Sequence, residues 1–170
     1  MRNNLELRNT LESITQSHIS AHDRLLSERV INHTIRILSS IRQDNSYNCV
    51  MYALNLQNDQ RYLELRKIID PNIHADTSFL NYLIDEGALL LDSSGNLLIY
   101  SNELKITHIG KIDIHGRVIS KWGIGHLYEH AIHEVPISYG EQVRRYSLIK
   151  NISVFWYFEA YLKNRHEKLT

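Results

Sequence analysis

The sequence predicts an α+β domain. Apolar residues recur at helical spacing through the first half, and from Ala88 the pattern changes to short strand-like runs separated by turns. Seven Gly and two Pro leave no linker between separate units, and 170 residues with 43% apolar and 22% charged content fit one globular domain. We divide it into a helical cover over residues 1–42, a core over 43–150 and a C-terminal element over 151–170.

The elements follow from local pattern. Leu7, Leu11 and Ile14 share one helical face. A longer helical stretch from about Ala21 puts Leu26, Val30, Ile37 and Ile41 on one stripe, with Ser20 and Asp23 as a loose capping box. Residues 43–48 form a polar loop that delivers the chain to the apolar run Cys49-Val-Met-Tyr-Ala-Leu54, read as a buried helix that residues 55–60 end. Residues 61–69 make a further helix stopped by Pro71. Thr77 caps a helix over 78–86, with Gly87 as its C-cap. Residues 88–91 and 97–100 read as a hairpin across the turn at 92–96, and residues 105–114 and 117–121 add two strands. The aromatic run Val154-Phe-Trp-Tyr-Phe158 fits helix and strand equally.

Charge excludes several functions. Nineteen basic residues balance nineteen acidic ones, so no positive field draws nucleic acid or an anionic membrane. The first twenty residues lack the apolar run of a signal peptide, and no stretch reaches the roughly 18 apolar residues of a span. A cytoplasmic protein is expected, or one exported by a specialised secretion route. The one cysteine excludes an internal disulfide.

That cysteine is the first candidate for chemistry. At a helix start, partial positive charge and unpaired N–H groups favour thiolate over thiol. The bland alternative is an inert core cysteine, since free cysteines are commonly buried. The second candidate is His108, early on a strand where strict alternation gives it the face of Ile106, Ile112 and Ile114. A core histidine bonded to backbone is the plain reading there.

Together these residues resemble the papain-like NlpC-type cysteine peptidase and amidase superfamily. The resemblance rests on Asn48-Cys49-Val-Met-Tyr-Ala-Leu, on Ile106-Thr-His108-Ile-Gly-Lys-Ile, and on the following strand ending Ser120-Lys-Trp-Gly. The later His130, Pro136 and Tyr139-Gly140 are similar to an uncharacterised branch of it. It implies a papain-like fold, N-terminal helices packed on a small antiparallel sheet, with Cys49 as nucleophile and His108 as general base and acid. The third position, twelve residues after the histidine, is usually His, Asn or Gln; here it is Ser120. A three-residue loop over 114–116 with Gly116 at positive φ sets Gly110 opposite Ser120 and puts His108 and Ser120 on one face. A two-residue turn sends Ser120 to the other face and leaves His126 or His130 to orient His108. Gln43, six residues before Cys49, matches the offset of the papain-like oxyanion glutamine. Tyr47, Tyr52 and Tyr139 are candidate substrate-side residues.

The implied activity is hydrolysis of an amide bond in a peptide, peptidoglycan peptide, isopeptide or glutamine side chain. A delivered effector or toxin acting on a protein target fits as well. No cofactor, metal, nucleic-acid or membrane partner is expected, and oligomeric state is left open. Two alternatives stand beside this. One is a papain-like interaction module with Cys49 inert, which Ser120 in the third position favours. The other is a zinc peptidase: His126-Leu-Tyr-Glu129-His130 spells H-x-x-E-H, which on a helix would set His126 and His130 on one face around a metal.

Overall fold

The computed structural model describes residues 2–30, 33–38, 47–123 and 125–167. The chain begins with helices α1 (Arg2–Thr15) and α2 (His22–Arg29), followed by the short strand β1 (Arg36–Ile37). Helices α3 (Cys49–Ala53), α4 (Gln60–Ile69) and α5 (Thr77–Asp85) come next. Strands β2 (Leu89–Leu91), β3 (Leu97–Asn102), β4 (Lys105–Ile112), β5 (Val118–Lys121), β6 (Leu127–His130) and β7 (Gln142–Leu148) precede the closing helix α6 (Val154–Glu167). All described pairings are antiparallel, in the order β1-β6-β5-β4-β3-β7-β2. No helix among the described residues is long and apolar enough to cross a membrane.

The sheet separates two cores. On one side Leu97, Ile99 and Ile109 pack against Val50 and Met51 of α3, Tyr62 of α4, Phe79, Leu80 and Leu83 of α5, and Phe158 and Leu162 of α6. On the other, Leu98, Tyr100, Val118 and Tyr128 pack against Leu11 and Ile14 of α1 and Leu25 and Leu26 of α2. Alternation along β3 feeds Leu97 and Ile99 to one core and Leu98 and Tyr100 to the other. The sheet is thus covered on both faces, and a strand buried on both faces reads as a continuous apolar run.

Several expectations need correction. The α2 helix ends at Arg29, its N-cap is Ala21 with no side-chain bond, and Ile37 belongs to β1. Ser20 lies instead in a 3-10 turn capped by His18. Ile41 falls outside the described residues. The cap of α5 is Asp76, whose carboxylate accepts from the Ser78 and Phe79 N–H groups, rather than Thr77. Residues 88–91 and 97–100 do not pair as a hairpin, because β7 lies between β2 and β3. Gly95 permits this: a Cβ there would stand 2.2 Å from the Tyr146 carbonyl oxygen on β7. The aromatic run at 154–158 is helical, with Phe155, Phe158 and Leu162 at helical spacing in the core. A sheet of seven strands is also larger than the one expected.

The β4–β5 hairpin is the three-residue form. Ile112 pairs Val118, the Asp113 N–H donates to the Arg117 carbonyl, and Gly116 has φ 75°. Gly110 therefore faces Ser120, where an added Cβ would come 3.1 Å from the Ser120 Cβ and 2.6 Å from Val118. His108 and Ser120 lie on one face, as that loop requires.

Candidate active site

Cys49 is the first residue of α3. Asn48 caps the helix: its side-chain oxygen accepts from the Met51 N–H at 2.9 Å, and its amide donates to the Ala75 carbonyl at 2.8 Å. Apolar Val50, Met51, Ala53 and Leu54 press α3 onto the sheet. The half-buried Cys49 packs against the same core.

The strand it meets is open on that side. The Ile112 N–H turns to Asn96 on the β3 side, so alternation turns the Ile109 N–H toward β5. The β4–β5 ladder comprises Lys111↔Ile119 and Ile112↔Val118. The Ile109 N–H is accordingly free to face the Cys49 thiol, together with the N–H groups of Val50 and Cys49 itself. A thiol surrounded by backbone donors has partners for a developing negative charge.

His108 follows a bulge. Tyr100 pairs His108 and Ser101 pairs Ile106, which leaves Thr107 as the extra residue. The bulge reverses the faces upstream: Ile106 enters the core of α3 to α6, while His108 turns to the opposite side beside Tyr100 and Tyr139. Ile106 thus does not share the face of His108, and Ile114 stands exposed in the hairpin loop. Tyr139 lies over the imidazole with ring centroids 3.9 Å apart and planes 15° from parallel. His108 is 2% exposed, and its Nε2 has no hydrogen-bond partner. A buried polar atom left unpaired is rare enough to need a reason.

Ser120 and His130 are joined to each other. The Ser120 oxygen stands 2.8 Å from His130 Nε2 and accepts from the Trp122 indole N–H at 3.0 Å. His130 Nδ1 lies 2.8 Å from the Ala131 carbonyl oxygen, so it carries the proton and Nε2 accepts from Ser120. Among the described residues no hydrogen bond links Ser120 or His130 to His108. The expected bond from Ser120 or His130 to the candidate base is thus not seen among the described residues, and the side chain stacked on the His108 ring is Tyr139.

Burial sets the protonation states. It raises the Cys49 thiol pKa, against the lowering effect of the backbone donors and of Lys121. It holds His108 far below the ordinary imidazole range, with His130 adding to the effect. The resting pair is a neutral thiol and a neutral imidazole. The thiolate preference expected at a helix start is outweighed by desolvation, since α3 has only five residues to build a dipole.

The remaining candidates divide. Gln43 lies outside the described residues. Tyr47 is buried with the Lys121 ammonium 5.1 Å from its ring centroid, so it belongs to the interior rather than to a groove wall. Tyr52 is half-buried, with Lys111 Nζ 4.7 Å from its ring. The H-x-x-E-H reading loses its helix. Residues 127–130 are strand β6, which sets His126 and His130 about 13 Å apart by strand rise. Among the described residues no group of three or more His, Cys, Asp or Glu is placed to hold a metal ion.

Sequence reasoning missed the residues that support the site. Arg8 of α1 is buried and donates to the carbonyls of Val135, Pro136, Ile137 and Gly140, the last at 2.5 Å. Glu12, one helical turn on, accepts from the Ser138 hydroxyl at 2.6 Å. The Thr107 hydroxyl at the bulge bonds the Tyr139 carbonyl. Tyr139 is therefore held over His108 from both α1 and β4. Lys121 was also missed; the signal for it was a charge in the strand Val118-Ile-Ser-Lys121, on the face opposite Ser120 and hence toward α3.

No curated protein and no solved structure matches the chain. The model of a family described as a domain of unknown function (DUF7689) matches residues 38–147, a span from just after β1 to the end of β7 that holds Cys49, His108, Lys121 and Tyr139 and leaves α1, α2 and α6 outside. On that match the chain belongs to the DUF7689 family.

Proposed function

We propose that the protein is a papain-like cysteine hydrolase that cleaves an amide bond by way of an acyl-enzyme on Cys49. The observation that carries this reading is the pairing of two features on β4, where its ladder with β5 stops. A capped helix start brings the Cys49 thiol to the Ile109 N–H, and His108, the residue before Ile109 and turned to the opposite face of β4, keeps a buried nitrogen without a partner. An orphaned imidazole nitrogen is a costly feature in a purely structural histidine, and a proton acceptor needs one.

The neutral resting pair defines the steps. His108 Nε2 takes the thiol proton as Cys49 Sγ bonds to the substrate carbonyl carbon, and the carbonyl π pair moves onto oxygen. Backbone N–H groups at the start of α3 and at Ile109 face that charge. Collapse breaks the C–N bond, and the His108 imidazolium returns its proton to the leaving nitrogen. Water, deprotonated by His108, then attacks the thioester and yields carboxylate and thiol. Peptide, isopeptide and glutamine-amide substrates all satisfy this scheme.

The test is capture of the acyl-enzyme. Exposure to a panel of peptidyl, γ-glutamyl and glutamine-amide donors should add an acyl mass on Cys49 that disappears in Cys49→Ala and fades in His108→Ala. A second reading, a papain-like interaction module with inert Cys49, is favoured by the engagement of Ser120 with His130 rather than His108. It predicts no acyl mass with any donor.

A further inference from the structure

Beside α5 the helices leave part of the sheet uncovered. A groove of about 410 Å3 opens there between α5 and the strands β4, β3 and β7, within the size range of small-ligand sites. Its floor follows from local rules. Ile99 faces the helices by alternation along β3, and the bulge at Thr107 turns Ile106 of β4 to the same side. Ile84 of α5 forms a wall, and Leu104, 98% exposed, stands at the rim. A leucine so open to water leaves apolar surface for a ligand to cover.

Two opposite charges line the same groove. Arg144 of β7 lies directly across from Ile99, so its side chain shares the face of that floor residue. Glu103 sits in the turn that joins Asn102 to Lys105 and holds φ 50°, a left-handed conformation uncommon outside glycine. Neither forms an ion pair or a side-chain hydrogen bond with the other or with any described residue. The run from Ile99 to Asn102 sets their backbones roughly 10 Å apart along β3. Uncharged donors and acceptors complete the lining. The Ser101 hydroxyl and the Gln142 amide pair across β3 and β7 between the two charges, and the Asn81 amide reaches in from α5. These three side chains also have no hydrogen-bond partner among the described residues.

We propose that this groove binds a short free peptide of about two to four residues, with its carboxylate on Arg144, its ammonium on Glu103 and an apolar side chain on Ile84, Ile99 and Ile106. The spacing of the charges sets the length, since each extended residue spans at most about 3.6 Å and both side chains reach inward. A single amino acid holds its two charges too close together to meet both. Ser101, Gln142 and Asn81 serve the peptide bonds. The site does not rest on Cys49 as nucleophile, and failure of acyl capture leaves it unaffected.

Methyl NMR spectra of the whole protein, titrated with the free peptide Ala-Leu-Ala, test this. Saturable shifts should appear at Ile84, Ile99 and Ile106. Amidating the peptide's carboxylate or acetylating its amine should each raise Kd about fivefold, the upper end for a half-exposed ion pair. Arg144→Gln should remove the effect of amidation alone, and Glu103→Gln the effect of acetylation alone, a pattern that a general loss of affinity does not produce. Both side chains are exposed, so neither substitution disturbs the core. Absence of saturable shifts at millimolar peptide would overturn the proposal. So would a doubly blocked peptide or isocaproate binding as tightly as the free peptide, or blocking effects that are the same in wild type and both variants.

Discussion

At the scale of single residues, the site depends on how Cys49 is presented. Asn48 fixes the helix start through Met51 and ties it to the segment before α5 through Ala75, so one side chain joins two parts of the core. Asn48→Ala removes the cap and leaves the carbonyl of the buried Ala75 without its side-chain donor. Loss of a cap alone costs about 1 kcal/mol, and the second bond brings the expected loss to about 2 kcal/mol. Urea unfolding should show that decrease together with a changed Cys49 alkylation rate. Equal stability and equal reactivity would mean that Asn48 does not set the thiol's position.

At the scale of elements, α1 acts on the site from outside the family match. Arg8 and Glu12 hold the loop from Val135 to Gly140, and that loop holds Tyr139 on His108. Gly140 at φ 99° makes the tight exit possible, since a Cβ there would lie 2.5 Å from the Ser101 backbone. Arg8→Ala would strand several buried carbonyls. The expected loss is about 2 to 3 kcal/mol, with faster hydrogen exchange at Tyr139 and Gly140 while the strands β3 and β4 stay protected. Uniform exchange across the sheet would place the effect in global stability instead.

At the scale of the whole molecule, buried histidines link stability to pH. His22, His108 and His130 are buried, each with a lowered pKa, and His130 is pushed down to about 4. An unfolded histidine titrates near 6.5, so between these values the unfolded chain binds more protons than the folded one, and stability falls as pH falls. His130 alone accounts for about 3 kcal/mol across that window. The carboxylates with lowered pKa, Asp59, Asp92, Asp113 and Glu134, lose their contribution further down and leave the window to histidine. The urea midpoint should be level above about pH 7 and drop steeply between pH 6.5 and 4.5. A level midpoint through that range would show that these rings are not buried neutral.

The same scale shows what local pattern could reveal. The helices near 60–69 and 77–85 and the switch to strands were legible because periodicity acts within a few residues, whereas the Asp76 cap and the choice between a two- and a three-residue β4–β5 loop came from the structure. The pairing of β2 was not legible, because its partners on β7 lie more than fifty residues on, from Leu91↔Tyr146 to Leu89↔Leu148, and Gly95 marks the close passage. The face of Ile106 was lost to the bulge at Thr107, whose partners are the carbonyls of Tyr100 and Tyr139. Cys49 and His108 could be singled out from their surroundings in sequence. Lys121, Arg8 and the Ser120–His130 bond required the register and the two-sided packing of the sheet.

The central claim is that His108 deprotonates Cys49 during attack. It is tested most directly by the rate at which an activated peptidyl ester acylates Cys49 near pH 7, in wild type and in folded His108→Ala. General-base assistance predicts a rate lower by about a hundredfold or more in the variant. Equal rates would contradict the account.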